Sequence, residues 1–171
     1  MDLRLRPVRA DELDILRTFA QDPAFAPTTW VGFRSVNKID KEFAESGFLE
    51  DGKGRLIVEA DGSAAGFVAY WKGLYGVQGE WCEIGIALLP EFRGRGIGWR
   101  AQAMLTDYLF EHLPIERVQA GTQPENIAEQ KALLKAGFTR EGVIRAAEWR
   151  SGAWRDGLLY SRLRHDPPPE Y

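Results

Sequence analysis

Apolar and charged positions alternate from the start of the chain. Leu3 and Leu5 are set against Arg4 and Arg6, the period of a short half-buried strand over residues 3–8. The period then lengthens. Leu13, Leu16, Phe19 and Ala20 fall at helical spacing behind Asp11, a helix-cap candidate, and Asp22-Pro23 ends the helix. Val36, Ile39 and Phe43 mark one face of a second helix over 35–45, with Gly47 just beyond its end. Residues 55–60 and 65–71 read as strands joined by Asp61-Gly62, a hairpin signal. Gly73-Leu74-Tyr75-Gly76 reads as a loop, and an apolar strand follows to about Leu88. Over 97–112, Ala101, Met104, Leu105, Tyr108 and Leu109 predict one buried helical face, closed by Pro114. A strand over 117–121, a helix over 126–135 ending at Gly137, and strands over 140–149 and 154–163 about Ser151-Gly152 complete the pattern. The order β-α-α-β-β-β-α-β-α-β-β predicts one α/β (α+β) domain over 1–165, a mixed sheet with helices on both faces. The Pro-rich tail 166–171 is expected to be extended and exposed.

Composition narrows the classes. A length of 171 residues, 44% hydrophobic and 27% charged, suits a single soluble domain with a real core. The net charge of -3 argues against a general nucleic-acid binder. One cysteine, Cys82, excludes an internal disulfide and any paired-cysteine metal site, and only His112 and His165 could serve as imidazole ligands, so no metal is expected. Cys82 lies in an apolar strand and reads as core filler. With no signal layout and no apolar run near the ~20 residues of a membrane span, a cytoplasmic protein away from membranes is the expectation.

The stretch 81–98, WCEIGIALLPEFRGRGIG, carries the chemistry. An apolar strand stops at Pro90, a glycine-rich loop follows, and a helix begins. Backbone amides converge at such a junction and the helix dipole favours an anion. A Walker A loop would need Gly-Lys-Ser or Gly-Lys-Thr, which the chain lacks. A dinucleotide fingerprint would need glycine where Trp99 stands. The pattern met is (Gln/Arg)-x-x-G-x-(Gly/Ala), by Arg93, Gly96 and Gly98.

Around this hexapeptide the chain resembles the GNAT N-acetyltransferase superfamily, and within it the RimJ/RimL-like branch. Glu83-Ile84-Gly85-Ile86, Pro90 to Gly98, Pro124 to Ala128, Leu134-Lys135-Ala136-Gly137-Phe138 and Trp154 to Ser161 match in order and at the right intervals. The resemblance implies a mostly antiparallel seven-stranded sheet whose two central strands splay apart and hold acetyl-CoA. It implies that amides of Arg93, Gly94, Arg95, Gly96, Ile97 and Gly98 bind the pyrophosphate, with the arginines adding charge. Pantetheine would lie along Ile86 and Leu88 like an extra strand, beside Asn126, for which a simple helix-cap role is the competing account.

The activity implied is acetyl transfer to a primary amine by direct attack on the thioester, since no Ser-His-Asp or Cys-His arrangement is visible. Glu83 is the candidate base or amine anchor, with a structural role as the alternative. The branch's usual proton donors are missing: Leu133 stands where many members have tyrosine, and Glu129 where RimJ/RimL-like members often have serine. Glu129, if burial raises its pKa, and Tyr160 are the candidate acids. Trp30 and Phe33 before the second helix, and Glu148 and Trp149 in the last hairpin, suit a cationic amine by cation–π contact and charge pairing. The acceptor would be a peptide or protein N-terminus or a small amine such as an amino acid, polyamine or antibiotic. An enzyme using a longer acyl-CoA, or a CoA-binding sensor without turnover, are the other readings, and a homodimer is compatible with each.

Overall fold

Two elements decide where this chain can bind anything: a helix entered through glycines, and two parallel strands that part halfway along. The computed structural model of the chain describes residues 1–169; residues 170 and 171 of the expected tail lie outside the described residues. The elements are β1 (Leu3–Pro7), α1 (Leu13–Gln21), α2 (Val36–Ser46), β2 (Leu49–Glu50), β3 (Lys53–Ala60), β4 (Ser63–Tyr75), β5 (Gly79–Leu88), α3 (Ile97–His112), β6 (Arg117–Thr122), α4 (Ile127–Lys135), β7 (Thr139–Arg150) and β8 (Ala153–Leu163). The sheet runs β1-β3-β4-β5-β6-β8-β7. Those seven strands are the expected ones, and the two-residue β2, pairing with β3, makes an eighth. Every pairing is antiparallel except β5 with β6.

Strand alternation divides the core in two. Leu56 and Val58 of β3, Cys82 and Ile84 of β5, and Val118 and Ala120 of β6 pack with α3 and α4 on one face. Ile57 lies between Leu56 and Val58 and therefore packs on the other face, with Leu13 and Leu16 of α1 and Ile39 of α2. Cys82 is fully buried, and burial pushes its thiol up to about 11, as befits core filler.

Several expectations need correction. Asp11 does not cap α1: a turn of 3-10 helix precedes the helix, and it is Glu12 whose carboxylate accepts the Arg9 N–H at 2.9 Å. Residues 73–75 are strand rather than loop, because β4 continues opposite β5 as far as Tyr75. Tyr108 is 40% exposed and stacks on His112, ring centroids 4.5 Å apart. The buried side of α3 includes Gln102 and Thr106 instead, which donate to the helix backbone: Gln102 Nε2 to Gly98 O at 3.3 Å and Thr106 Oγ1 to Gln102 O at 2.8 Å. The tail begins with a turn, since Asp166 accepts the Leu163 N–H at 2.8 Å and returns its own N–H to Leu163 O at 3.1 Å. No helix among the described residues is long and apolar enough to cross a membrane.

Gly66 is where β4 meets the functional end of β5. Its φ is 148°, and a Cβ there would stand 2.1 Å from Ala87 O. Gly66→Ala should therefore destabilise the chain by about 1–3 kcal/mol from backbone strain alone, read as a lower urea midpoint. An unchanged midpoint would mean that β5 does not press on β4 here.

Candidate active site

β5 and β6 pair only at Trp81↔Arg117, Cys82↔Val118 and Glu83↔Gln119. Beyond Glu83 they diverge: β5 continues to Leu88 on β4, while β6 continues to Thr122 on β8. The edge of β5 from Ile84 onward thus has no strand partner on that side. A cavity of about 630 Å³ opens at the parting, lined by Gly85, Ile86 and Ala87 of β5, Gly121 and Thr122 of β6, and residues of α1, α2 and α4. Asn126 and Glu129 close it from the α4 side.

Directly after β5 comes the loop. Pro90–Phe92 form a 3-10 turn, closed by the Arg93 N–H on Pro90 O at 3.2 Å. Gly94 and Gly96 take φ values of 72° and 77°, left-handed conformations in which a side chain is strained. Gly96 is the N-cap of α3, and no side chain caps this helix. Its leading amides are therefore left for solvent or an anion. The Arg93 side chain turns inward: Nε donates to Leu88 O at 2.8 Å and Nη2 to Phe25 O at 2.5 Å. It clamps strand end, glycine loop and α1–α2 connection together. Arg95 lies over the Phe92 ring, 5.8 Å from its centroid.

Glu83 is at the apex of the parting, on the opposite face of β5 from Cys82 and Ile84. Its Oε2 accepts from Gln119 Nε2 at 3.2 Å, and Gln119 Oε1 in turn accepts from Tyr75 Oη and Arg117 Nε, each at 3.2 Å. Glu83 Oε1 would stand 3.6 Å from a Cβ on Gly121, a residue of the cavity wall. The carboxylate is therefore both held by the neighbouring strand and next to the cavity.

Glu129 is not the exposed helix glutamate that its position in α4 suggests. Burial pushes its carboxyl up to about 7, with an opposing hydrogen bond to Gln102. The α4 N-terminus favours the ionised form by about 0.3–1 kcal/mol. A rise from 4.5 to about 7 amounts to roughly 3 kcal/mol, so desolvation wins. Asn126 caps α4, its Oδ1 accepting the Glu129 N–H at 3.3 Å, so the cap account holds while the side chain still lines the cavity.

The other candidates are elsewhere. Tyr160 is 2% exposed, in the core between sheet and α4, and is not in the cavity wall. Trp30 and Phe33 pack on each other at 5.4 Å, with Phe33 76% exposed. Trp149 meets Trp154 at 5.8 Å on the surface, and Glu148 accepts from Arg150 Nε at 3.0 Å. None of these four, Trp30, Phe33, Glu148 or Trp149, lines the cavity; Arg34, Lys38, Glu42, Arg55 and Trp71 do. Sequence reasoning missed those five. Arg55 is in phase with the buried Ile57, but so are Lys53 and Glu59, so phase alone does not single it out. Among the described residues no group of three or more His, Cys, Asp or Glu converges as a metal site.

Comparison with known proteins gives this geometry a context. The family model for the acetyltransferase (GNAT) domain matches residues 2–139. A probable N-acetyltransferase, YjcK of Bacillus subtilis, is 35% identical over 83 residues, 48% of this chain and 46% of that protein. In its matches to the first such curated relatives, the chain spans about half of their length. Spermidine N-acetyltransferase from Vibrio cholerae, solved in complex with CoA and spermine, shares the fold with a TM-score of 0.83 at 18% identity, over 96% of both chains. Mycobacterium smegmatis RimJ in complex with CoA-disulfide gives 0.76 at 24% identity, over 94% of this chain and 81% of that one.

The raised pKa of Glu129 has a consequence for stability. Between its ordinary value and about 7 the folded state holds a proton that the unfolded state has lost, so folding stability falls as pH rises through this window and is then level. Glu129→Gln should remove that slope and leave the variant more stable than the parent at pH 8, by up to roughly 3 kcal/mol. Urea titrations at pH 5 and pH 8 measure it. Parallel pH dependence in parent and variant would show that Glu129 titrates in its ordinary range.

Proposed function

Because the chain belongs to the GNAT acetyltransferase family, we propose that it transfers the acetyl group of acetyl-CoA to a primary amine by direct attack on the thioester. The observation that carries this reading is the parting of β5 from β6 immediately before an uncapped, glycine-led helix. The amides at the start of α3 would take the pyrophosphate, with Gly94 and Gly96 keeping side chains away from its oxygens. The unpartnered edge of β5 at Ile84 to Ala87 would pair with the pantetheine amides as a short strand would. Asn126 spends Oδ1 on its cap, which leaves its amide nitrogen for a pantetheine carbonyl.

The chemistry needs an amine without its proton, support for the thioester oxyanion and a proton for the departing sulfur. As the amine nitrogen bonds to the acetyl carbon, the carbon–sulfur bond breaks. One proton leaves the nitrogen and one reaches the sulfur, giving an amide and free CoA. Glu83, held by Gln119 beside the cavity wall, accepts the amine proton directly or through a water molecule. Glu129 supplies the proton to the thiolate. A carboxyl near 7 is still substantially protonated at neutral pH, which an exposed glutamate is not. This role answers the missing tyrosine and serine: a buried acid from the next helix takes the place of either hydroxyl.

Gly96→Val should weaken acetyl-CoA binding at least tenfold in calorimetry, through strain at φ 77° and a side chain in the anion cradle. Unchanged affinity would remove the phosphate-loop assignment. Glu129→Gln should lower kcat by about 10²-fold with little effect on the acetyl-CoA KM. The parent's decline in rate as pH rises through about 7 should vanish with it, because only the protonated carboxyl donates. A variant that keeps that alkaline limb would exclude Glu129 as the acid. Glu83→Gln should also slow turnover without changing CoA affinity, and parental rates across the pH range would take Glu83 out of the mechanism.

A further inference from the structure

Among the described residues the charged groups lining the cavity are Arg34, Lys38, Glu42, Arg55 and Glu129. Four of the five are on one side, in the segment entering α2, on α2 itself and on β3, while Glu129 stands across from them on α4. Glu42 is shared by two cations: Arg55 Nη1 is 3.4 Å away and Lys38 Nζ 3.9 Å away. Arg34 adds a third positive group. Its main chain is pinned at both ends, the N–H on Ala20 O at 3.0 Å and the carbonyl on Gln21 Nε2. Its guanidinium has one long bond, Nη2 to Phe19 O at 3.4 Å. Arg55 is fixed over the Phe48 ring, 5.0 Å from the centroid. Burial lowers its pKa, Glu42 opposes that, and the charge of Arg34 adds to it. At this end of the cavity one carboxylate therefore faces three cations, two of them at exposed positions, while Glu83 and Glu129, the latter half neutral near pH 7, stand at the other end.

A polyamine would meet three like charges at this end of the cavity, where Glu42 is already shared by two of them. An anion would complete the charge balance. At the opposite end, Thr122 Oγ1 and Gln123 Oε1 are buried polar atoms of the cavity wall without a hydrogen-bond partner among the described residues. They can accept N–H groups.

We infer that the acceptor is an amine that also carries a carboxylate, an amino acid or short acidic peptide, its carboxylate held by Arg34, Lys38 and Arg55 and its amine at the parting of β5 and β6. This rests on the acetyl-transfer reading, and it reverses the expectation of a cation-selective aromatic pocket.

The test pairs each acid with its amide: glycine with glycinamide, aspartate with asparagine amide, an Asp-Glu dipeptide with its amidated form, and spermidine beside them. CoA release from acetyl-CoA is followed with a thiol reagent. The amide has the less basic amine, hence more free base at neutral pH, so a preference for the acid is a stringent result. At least one acid should exceed its amide by tenfold or more in kcat/KM and should exceed spermidine. Arg34→Gln and Lys38→Gln, both at exposed positions, should raise KM for that acid about tenfold while leaving KM for acetyl-CoA and for the amide unchanged. Spermidine as the best acceptor, or equal rates for acids and amides, would overturn the inference. Calorimetry with the N-acetylated acids and their amides, in the presence of CoA, separates the two readings. Selective binding of an acid without any turnover would leave the anion site standing and sink acetyl transfer. No turnover and no selective binding would sink the anion site as well.

Discussion

A strand edge left unpaired at the middle of a sheet is expensive, because each buried backbone N–H or C=O without a partner costs about 1–3 kcal/mol. This chain keeps such an edge where β5 leaves β6 after three paired positions. What surrounds the edge holds the parting open. β4 supports β5 along its whole length and comes as close as Gly66 permits. β8 carries β6 away in its own antiparallel ladder. Arg93 ties the end of β5 to the α1–α2 connection through two carbonyls. The backbone groups at the gap are left without a strand partner, and the glycine-led start of α3 follows within a few residues because the strand ends there.

The same opening sets the electrostatics. The cavity passes from the α1–α2 side to the α4 side, and the two glutamates beside it are held differently. Glu83 hydrogen-bonds to Gln119, itself fixed by Arg117 and Tyr75, in a network that keeps the carboxylate in one place. Glu129 has only Gln102 set against a dominant desolvation, and its carboxyl moves up to about 7.

How much of this could be read from the chain depends on the range of the interactions involved. Hairpins and helices were legible because their signals are local. Asp61-Gly62 takes the positive φ values of 48° and 81° that its turn requires, and Gly47 ends α2 at φ 59°. The junction of strand, glycine turn and helix start was legible for the same reason: its parts are contiguous. The lining of the cavity was not. Trp30, Phe33, Glu148 and Trp149 were attractive by chemistry, but their direction depends on how a loop packs and on register shifts in β7 between Ile144 and Glu148, which no local pattern reveals. The setting of Glu129 was equally hidden, since the Gln102 that bonds it belongs to α3 and not to α4.

Arg55 shows what a stricter use of the pattern can recover. In β3 the face carrying Ile57 is the one that packs under α1 and α2, and Arg55 shares that face by a period of two. A charge placed there must either find a partner or serve a cavity. Glu42 gives it half a partner, because Lys38 competes for the same carboxylate. The imbalance is visible only once α2 is laid across β3, yet the first clue, a charged residue in phase with a buried isoleucine, stands in the sequence. The direction of a charged residue on a strand is therefore easier to read than that of an aromatic residue in a nearby loop, since the strand fixes it relative to its buried neighbour and the loop does not.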